Sequence, residues 1–182
     1  MPTDNTNDSI SRENRRSELA QRLIWHGVRT ELITQLTGLS RDRQATVRRR
    51  LMVPGNTRYR GPARSPLSVF LSTPLRRAEA AAFISLCSTL EIPVQRSTAT
   101  IPKDISLTFV ERLCEAYEAY CGCFPRTEVQ LEEFIALRDS LATGDMLRLG
   151  RCRFCRCVIL VDRFDSNREC IHCSTVVTAK AP

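Results

Sequence analysis

The chain has 182 residues, 42% of them apolar and 26% charged, with a formal net charge of +7. That balance belongs to folded globular proteins and excludes fibrous repeats and wholesale disorder. No apolar run reaches the length of a membrane-spanning helix, and the polar start from Met1 to Ser11 lacks the basic-then-apolar order of a secretory leader. The expectation is a cytoplasmic protein with no membrane partner.

The charge is unevenly placed. Residues 1–64 hold 13 basic and 6 acidic side chains, residues 65–150 hold 8 and 11, and residues 151–182 hold 6 and 3. Lys103 and Lys180 are the only lysines, so arginine carries nearly all the positive charge. Arginine's planar fork suits phosphates and guanine edges. Arginine-rich codon usage would give the same composition, but the clustering points to a polyanionic partner.

In chain order, residues 1–10 read as a disordered N-terminus, rich in Asn, Asp, Thr and Ser. Ser11 is placed to cap a helix to about His26, with Leu19, Leu23 and Ile24 as its apolar stripe. Trp25 reads as a core or interface residue, and His26 as structural. A short helix with Leu32, Ile33 and Leu36 then meets Gly38, and Ser40 is placed to cap a second helix from Arg41 to about Leu51. Residues 11–53 thus form a helix-turn-helix-like DNA-binding segment. On the second helix Val47 and Leu51 face inward, and Arg41, Ala45, Arg48 and Arg49 fall on the opposite face. Half of residues 41–50 are arginine, Arg43 among them. A solvated basic helix is the plain alternative. Gln44 is the one polar residue on the inward side.

Residues 54–72 read as a Pro/Gly/Arg linker, with Arg58 and Arg60 placed to lie along a phosphate backbone. Residues 73–149 read as a helical core and assembly region. Thr73-Pro74 is an N-cap followed by proline at the first helical position, with Leu75, Ala78, Ala82, Leu86 and Leu90 inward. Ser106 caps a helix carrying Leu107, Val110, Leu113, Cys114, Tyr117 and Cys121 on one side. Thr127 and Gln130 have capping-box spacing before a helix with Leu131, Phe134, Leu137 and Leu141, which Gly144 stops. Val158 to Val161 reads as a strand, with Thr175 to Thr178 as its partner.

Nine cysteines are an odd count for a disulfide scaffold. Five lie between Cys152 and Cys173 in residues 150–182. Cys152 and Cys155 form one C-x2-C knuckle, and Cys170 and Cys173 form a second after fourteen residues. Two knuckles that close on one ion give the four-thiolate shell of a structural zinc, one Zn2+ per chain. Cys157 and His172 sit beside the shell as non-ligands, because four thiolates complete it. Cys87, Cys114, Cys121 and Cys123 read as packing residues. No catalytic motif is present: there is no phosphate-cradling glycine loop, no G-x-S-x-G and no open zinc site with a glutamate base. The chain therefore reads as a non-enzyme. The fold class is mainly α, with a helix-turn-helix-like segment and a small C-terminal four-cysteine zinc ribbon.

The basic N-terminal segment with Leu39-Ser40-Arg41, the Pro/Gly arm, the amphipathic helices and the C-x2-C…C-x2-C end together resemble the FlhC family of flagellar transcriptional activator subunits. The resemblance spans roughly Glu18 to Cys173 and departs at Gln44. It implies zinc on Cys152, Cys155, Cys170 and Cys173, and a heterohexamer of four FlhD and two FlhC chains. It further implies binding to double-stranded promoter DNA of flagellar operons and recruitment of RNA polymerase. Arg41, Arg43, Arg48, Arg49, Arg58 and Arg60 are then the expected DNA contacts. Two other functions fit the cysteines: an iron–tetrathiolate redox or electron-transfer module, and an RNA-binding zinc ribbon.

Overall fold

Local capping signals set most of the element boundaries in the computed structural model, which describes residues 4–51, 66–94, 106–144, 147–164 and 168–178. The elements are helices α1 (Asp4–Trp25), α2 (Thr30–Thr37), α3 (Arg41–Arg50), α4 (Pro66–Leu71), α5 (Pro74–Thr89), α6 (Leu107–Cys123) and α7 (Leu131–Thr143). They are followed by strands β1 (Leu147–Arg151) and β2 (Val158–Asp162) and by helix α8 (Ile171–Thr178). The fold is mainly helical, as expected. No described helix is long and apolar enough to cross a membrane.

The chain divides into two units. The first comprises residues 1–61, 101–115 and 130–132, and the second the rest. The C-terminal cysteine region therefore belongs with α4, α5 and α7 rather than standing alone.

In the first unit α1 begins at Asp4, inside the stretch expected to be disordered, so Ser11 is no cap. Leu19, Ala20, Leu23 and Ile24 are buried along its inward face. The helix ends in a Schellman turn: Gly27 takes φ 75°, its amide donates to the Ile24 carbonyl, and the Val28 amide donates to that of Leu23, both at 3.0 Å. Val28 is buried beneath the turn. Trp25 is 74% exposed, so it is not a core residue. From α6, Val110, Leu113 and Cys114 are buried, and Arg15 pairs with Glu111 while donating to the Thr108 hydroxyl at 2.9 Å.

The second unit is built round Phe134 of α7. Its ring stacks on Phe83 of α5 at 4.0 Å and meets Tyr120 of α6 at 4.8 Å and Phe70 of α4 at 5.4 Å. Such aromatic contacts each add about 0.5–1.5 kcal/mol beyond burial. Phe70 lies within the stretch expected to be a linker, where Pro66 opens a short helix instead. Thr73 caps α5 as expected, its hydroxyl accepting from the Arg76 amide at 3.2 Å. The buried face of α5 differs from the expected one: Ala80, Phe83, Ile84 and Cys87 point inward, and Leu75 is 60% exposed. The largest side chain, Phe83, sets the rotation. Glu79 is buried on that helix and bonded to Arg76 at 3.0 Å.

The expected capping box at Thr127 does not form. Its hydroxyl accepts from the Val129 amide at 3.2 Å and bonds the Tyr120 hydroxyl at 3.0 Å, and α7 starts at Leu131. Leu131, Phe134, Leu137 and Leu141 are buried as expected, and Gly144 takes φ 70° at the stop.

Strand β2 forms where expected, but its partner is β1. The pair is antiparallel, from Leu147↔Asp162 to Arg151↔Val158, while residues 171–178 are helical. Gly150 permits this pairing, since a Cβ there would meet Val161 at 2.9 Å. Ile159, Leu160 and Val161 are buried, and β2 packs on α5.

Candidate metal centre

Cys152 and Cys155 flank a tight turn at the end of β1. The Cys152 amide donates to the Cys157 carbonyl at 2.9 Å, and the Arg156 amide donates back to the Cys152 carbonyl at 3.0 Å. Arg156 takes φ 65°, a left-handed conformation that costs a non-glycine residue roughly 1–2 kcal/mol. Cys170 precedes α8 and Cys173 lies in its first turn. Three residues apart at a helix start, their side chains share a side.

The four Sγ atoms of Cys152, Cys155, Cys170 and Cys173 all lie within 4.8 Å of one another. Cys155 and Cys170 are 3.6 Å apart, close to the edge of about 3.8 Å expected for a tetrahedron with Zn–S arms of about 2.3 Å. The donor set fits a four-coordinate metal. Cys152, Ile159 and Val161 form a small core against which Cys170 and Cys173 pack. Backbone amides support the sulfurs: Cys170 N–H donates to Cys152 Sγ and Cys173 N–H to Cys170 Sγ, each at 3.4 Å.

These amides tune the thiols. The Cys155 N–H, aided by those of Cys170 and Phe154, brings the Cys152 thiol down to about 6. The Cys157 N–H lowers that of Cys155. Desolvation, reinforced by the neighbouring thiols, pushes Cys173 up to about 12. Closely packed thiols share negative charge reluctantly and titrate as a group. A bound cation reverses that repulsion and holds every coordinating thiol as thiolate.

Cys157 and His172 are outside the four-sulfur group. Cys87 and Cys114 are fully buried, and burial pushes the Cys87 thiol up to about 12, so both act as packing residues. Cys121 is half-buried and Cys123 exposed.

The arginine helix lies in the first unit. Gly38 takes φ 70° between α2 and α3, and its amide donates to the Thr34 carbonyl at 2.8 Å. The Ser40 hydroxyl accepts from the Arg43 amide. Arg41 and Arg43 are exposed and pair with Glu31 and Glu13. Arg49 is exposed and folds back on its own helix at Ala45 and Thr46. Arg48 lies two turns on from Arg41, next to the buried side of the helix. It is half-buried beside Gln44 and Val47, donates to the Val28 carbonyl at 3.3 Å, and its guanidinium is pushed below the usual range by desolvation. Arg58 and Arg60 lie outside the described residues.

Gln44, the residue that broke the apolar pattern, is fully buried. Its amide nitrogen donates to the Thr34 hydroxyl at 2.8 Å and to the Leu39 carbonyl at 2.9 Å. It pins the turn between α2 and α3 with a polar side chain. Sequence reasoning also passed over the arginines round the knuckles, whose signal was their alternation with the cysteines.

No protein-family model matches the chain, and no curated protein matches it.

Proposed function

We propose that the chain is a DNA-binding transcription activator subunit of the FlhC type, acting with FlhD at flagellar promoters, with a structural zinc. The observation that carries this reading is the glycine turn and capped helix α3, along which Arg41, Arg43, Arg49 and Arg50 are exposed. The pairs of Arg41 and Arg43 with carboxylates do not oppose it. Exposed ion pairs contribute only about 0–1 kcal/mol, so phosphates can replace Glu31 and Glu13. Arg48 then serves the unit's own packing, and Arg41, Arg43 and Arg49 remain as the helix contacts to DNA. Cys152, Cys155, Cys170 and Cys173 would hold the zinc, which ties two distant knuckles together where the local core is small.

Binding curves with a flagellar promoter duplex and a scrambled duplex, with and without FlhD, test the reading. Selective binding that FlhD strengthens, and that Arg41→Gln or Arg49→Gln weakens, is the expected result. Equal affinity for both duplexes would overturn the regulator, and a stable monomer with no affinity for FlhD would overturn the partner. Metal analysis separates zinc from the red iron–tetrathiolate of an electron carrier.

A further inference from the structure

We propose that the metal-bearing end carries a second DNA surface, formed by Arg151, Arg153, Arg156 and Arg168 with Phe154, which tracks the phosphate backbone of a duplex. It rests on the reading of the chain as a DNA-binding protein, but it lies on different residues from the arginine helix.

All five side chains are exposed, and the backbone ties them into one patch. Arg151 donates to the Arg156 carbonyl at 3.4 Å. The Arg153 amide donates to the Arg168 carbonyl at 2.9 Å, joining the two knuckles. Arg153 also lies over the Phe154 ring at 4.8 Å. Arg153 has a carboxylate partner in Glu169, which leaves the patch strongly positive.

Arg156 adds an independent sign. It sits at φ 65°, where glycine is the unstrained choice. A charged side chain at a strained, exposed position points to a role outside the fold. Rigid placement follows from the knuckle, whose turn is fixed by the hydrogen bonds that orient Cys152. Guanidinium groups held on such a frame match the phosphate oxygens of a duplex as forks rather than as diffuse charge.

The test uses the full-length, metal-loaded protein and a random-sequence duplex. Affinity is followed against salt for the parent, for Arg151→Gln/Arg156→Gln/Arg168→Gln and for the same three positions changed to Lys. Each lost phosphate contact removes about 0.9 from the salt slope, so the Gln set is expected to lower it by about 2–3. The Lys set is expected to keep the slope, with metal content unchanged in both. If the Gln set sheds metal, Arg168→Gln alone is read, with an expected drop of about 0.9. A parent that binds and a Gln set that keeps the parent's slope would overturn this surface and leave the arginine helix standing. A parent with no affinity for duplex DNA would overturn both. An effect confined to an acidic protein ligand, with the DNA slope unmoved, would overturn it as well.

Discussion

The first unit and the four-cysteine end are held together by different means. The first has a continuous apolar interior, with Leu19, Leu23, Ile24, Val28, Ile33 and Leu36 almost fully buried, and one buried amide that fixes its turn. The cysteine knuckles have a two-stranded ribbon and a small core of Cys152, Ile159 and Val161, against which Cys170 and Cys173 pack. A two-stranded ribbon is marginal in water unless it packs on a helix, as β2 does on α5. Sulfur clustered round a cation can do there what burial does in the helices, so the two regions should fail under different insults.

The largest contrast comes from removing a ligand. Metal binding to structural four-ligand sites is worth roughly 10–16 kcal/mol at neutral pH and is folding free energy. Cys170→Ser should abolish stoichiometric metal and expose the β1 and β2 amides to hydrogen exchange, with protection in α1 to α3 unchanged. Cys157→Ser should keep the metal. Equal loss of metal in the two variants would make Cys157 a ligand and break the comparison.

The converse change is Leu23→Ala, which opens a cavity under α1 and should cost about 2–5 kcal/mol. Denaturant melts followed by a probe on α3 should show it, while metal content stays at the parent's level. Next comes Gln44→Ala. It strips the Leu39 carbonyl and the Thr34 hydroxyl of a donor in a buried place, at about 1–3 kcal/mol. Gln44→Met should lose the same hydrogen bonds but fill the space, so a Met variant as stable as the parent would show that the turn is not pinned by that amide.

Acid should separate the two regions most gently. The Cys152 thiol is lowered from 9.0 to about 6 in the fold, so its thiolate stabilises the metal-free end above the ordinary thiol value. That contribution is lost as pH falls through about 6. Glu111 is held below its usual 4.5 by the hydrogen bond from Arg15, so the first unit keeps that contribution above the ordinary carboxylate range and loses it only in stronger acid. Across this range protons compete with the metal for the Cys152 sulfur, so the loaded protein should release metal, and its ribbon loosen in hydrogen exchange, before the first unit does. Simultaneous loosening would remove the distinction.

The sequence by itself determined what depends on neighbours along the chain. Knuckle spacing, the Ser40 and Thr73 caps, the glycine at the α2–α3 turn and the strand at Val158 are all set within a few residues, where backbone geometry leaves few choices. Only the tertiary structure decided the rest. Helix α5 offers two apolar faces, Leu75, Ala78, Ala82 and Leu86 or Ala80, Phe83, Ile84 and Cys87, so the inward one waited on what Phe83 would meet, namely Phe134. The partner of β2 reads in the sequence as Thr175 to Thr178, which are helical; β2 pairs with β1, where Gly150 leaves room for Val161. Phe70 was hidden in a Pro-rich stretch whose helix gains its place from packing. Gln44 looked like a defect because its two acceptors lie five and ten residues back, and a buried amide is satisfied or costly only once the turn has folded round it.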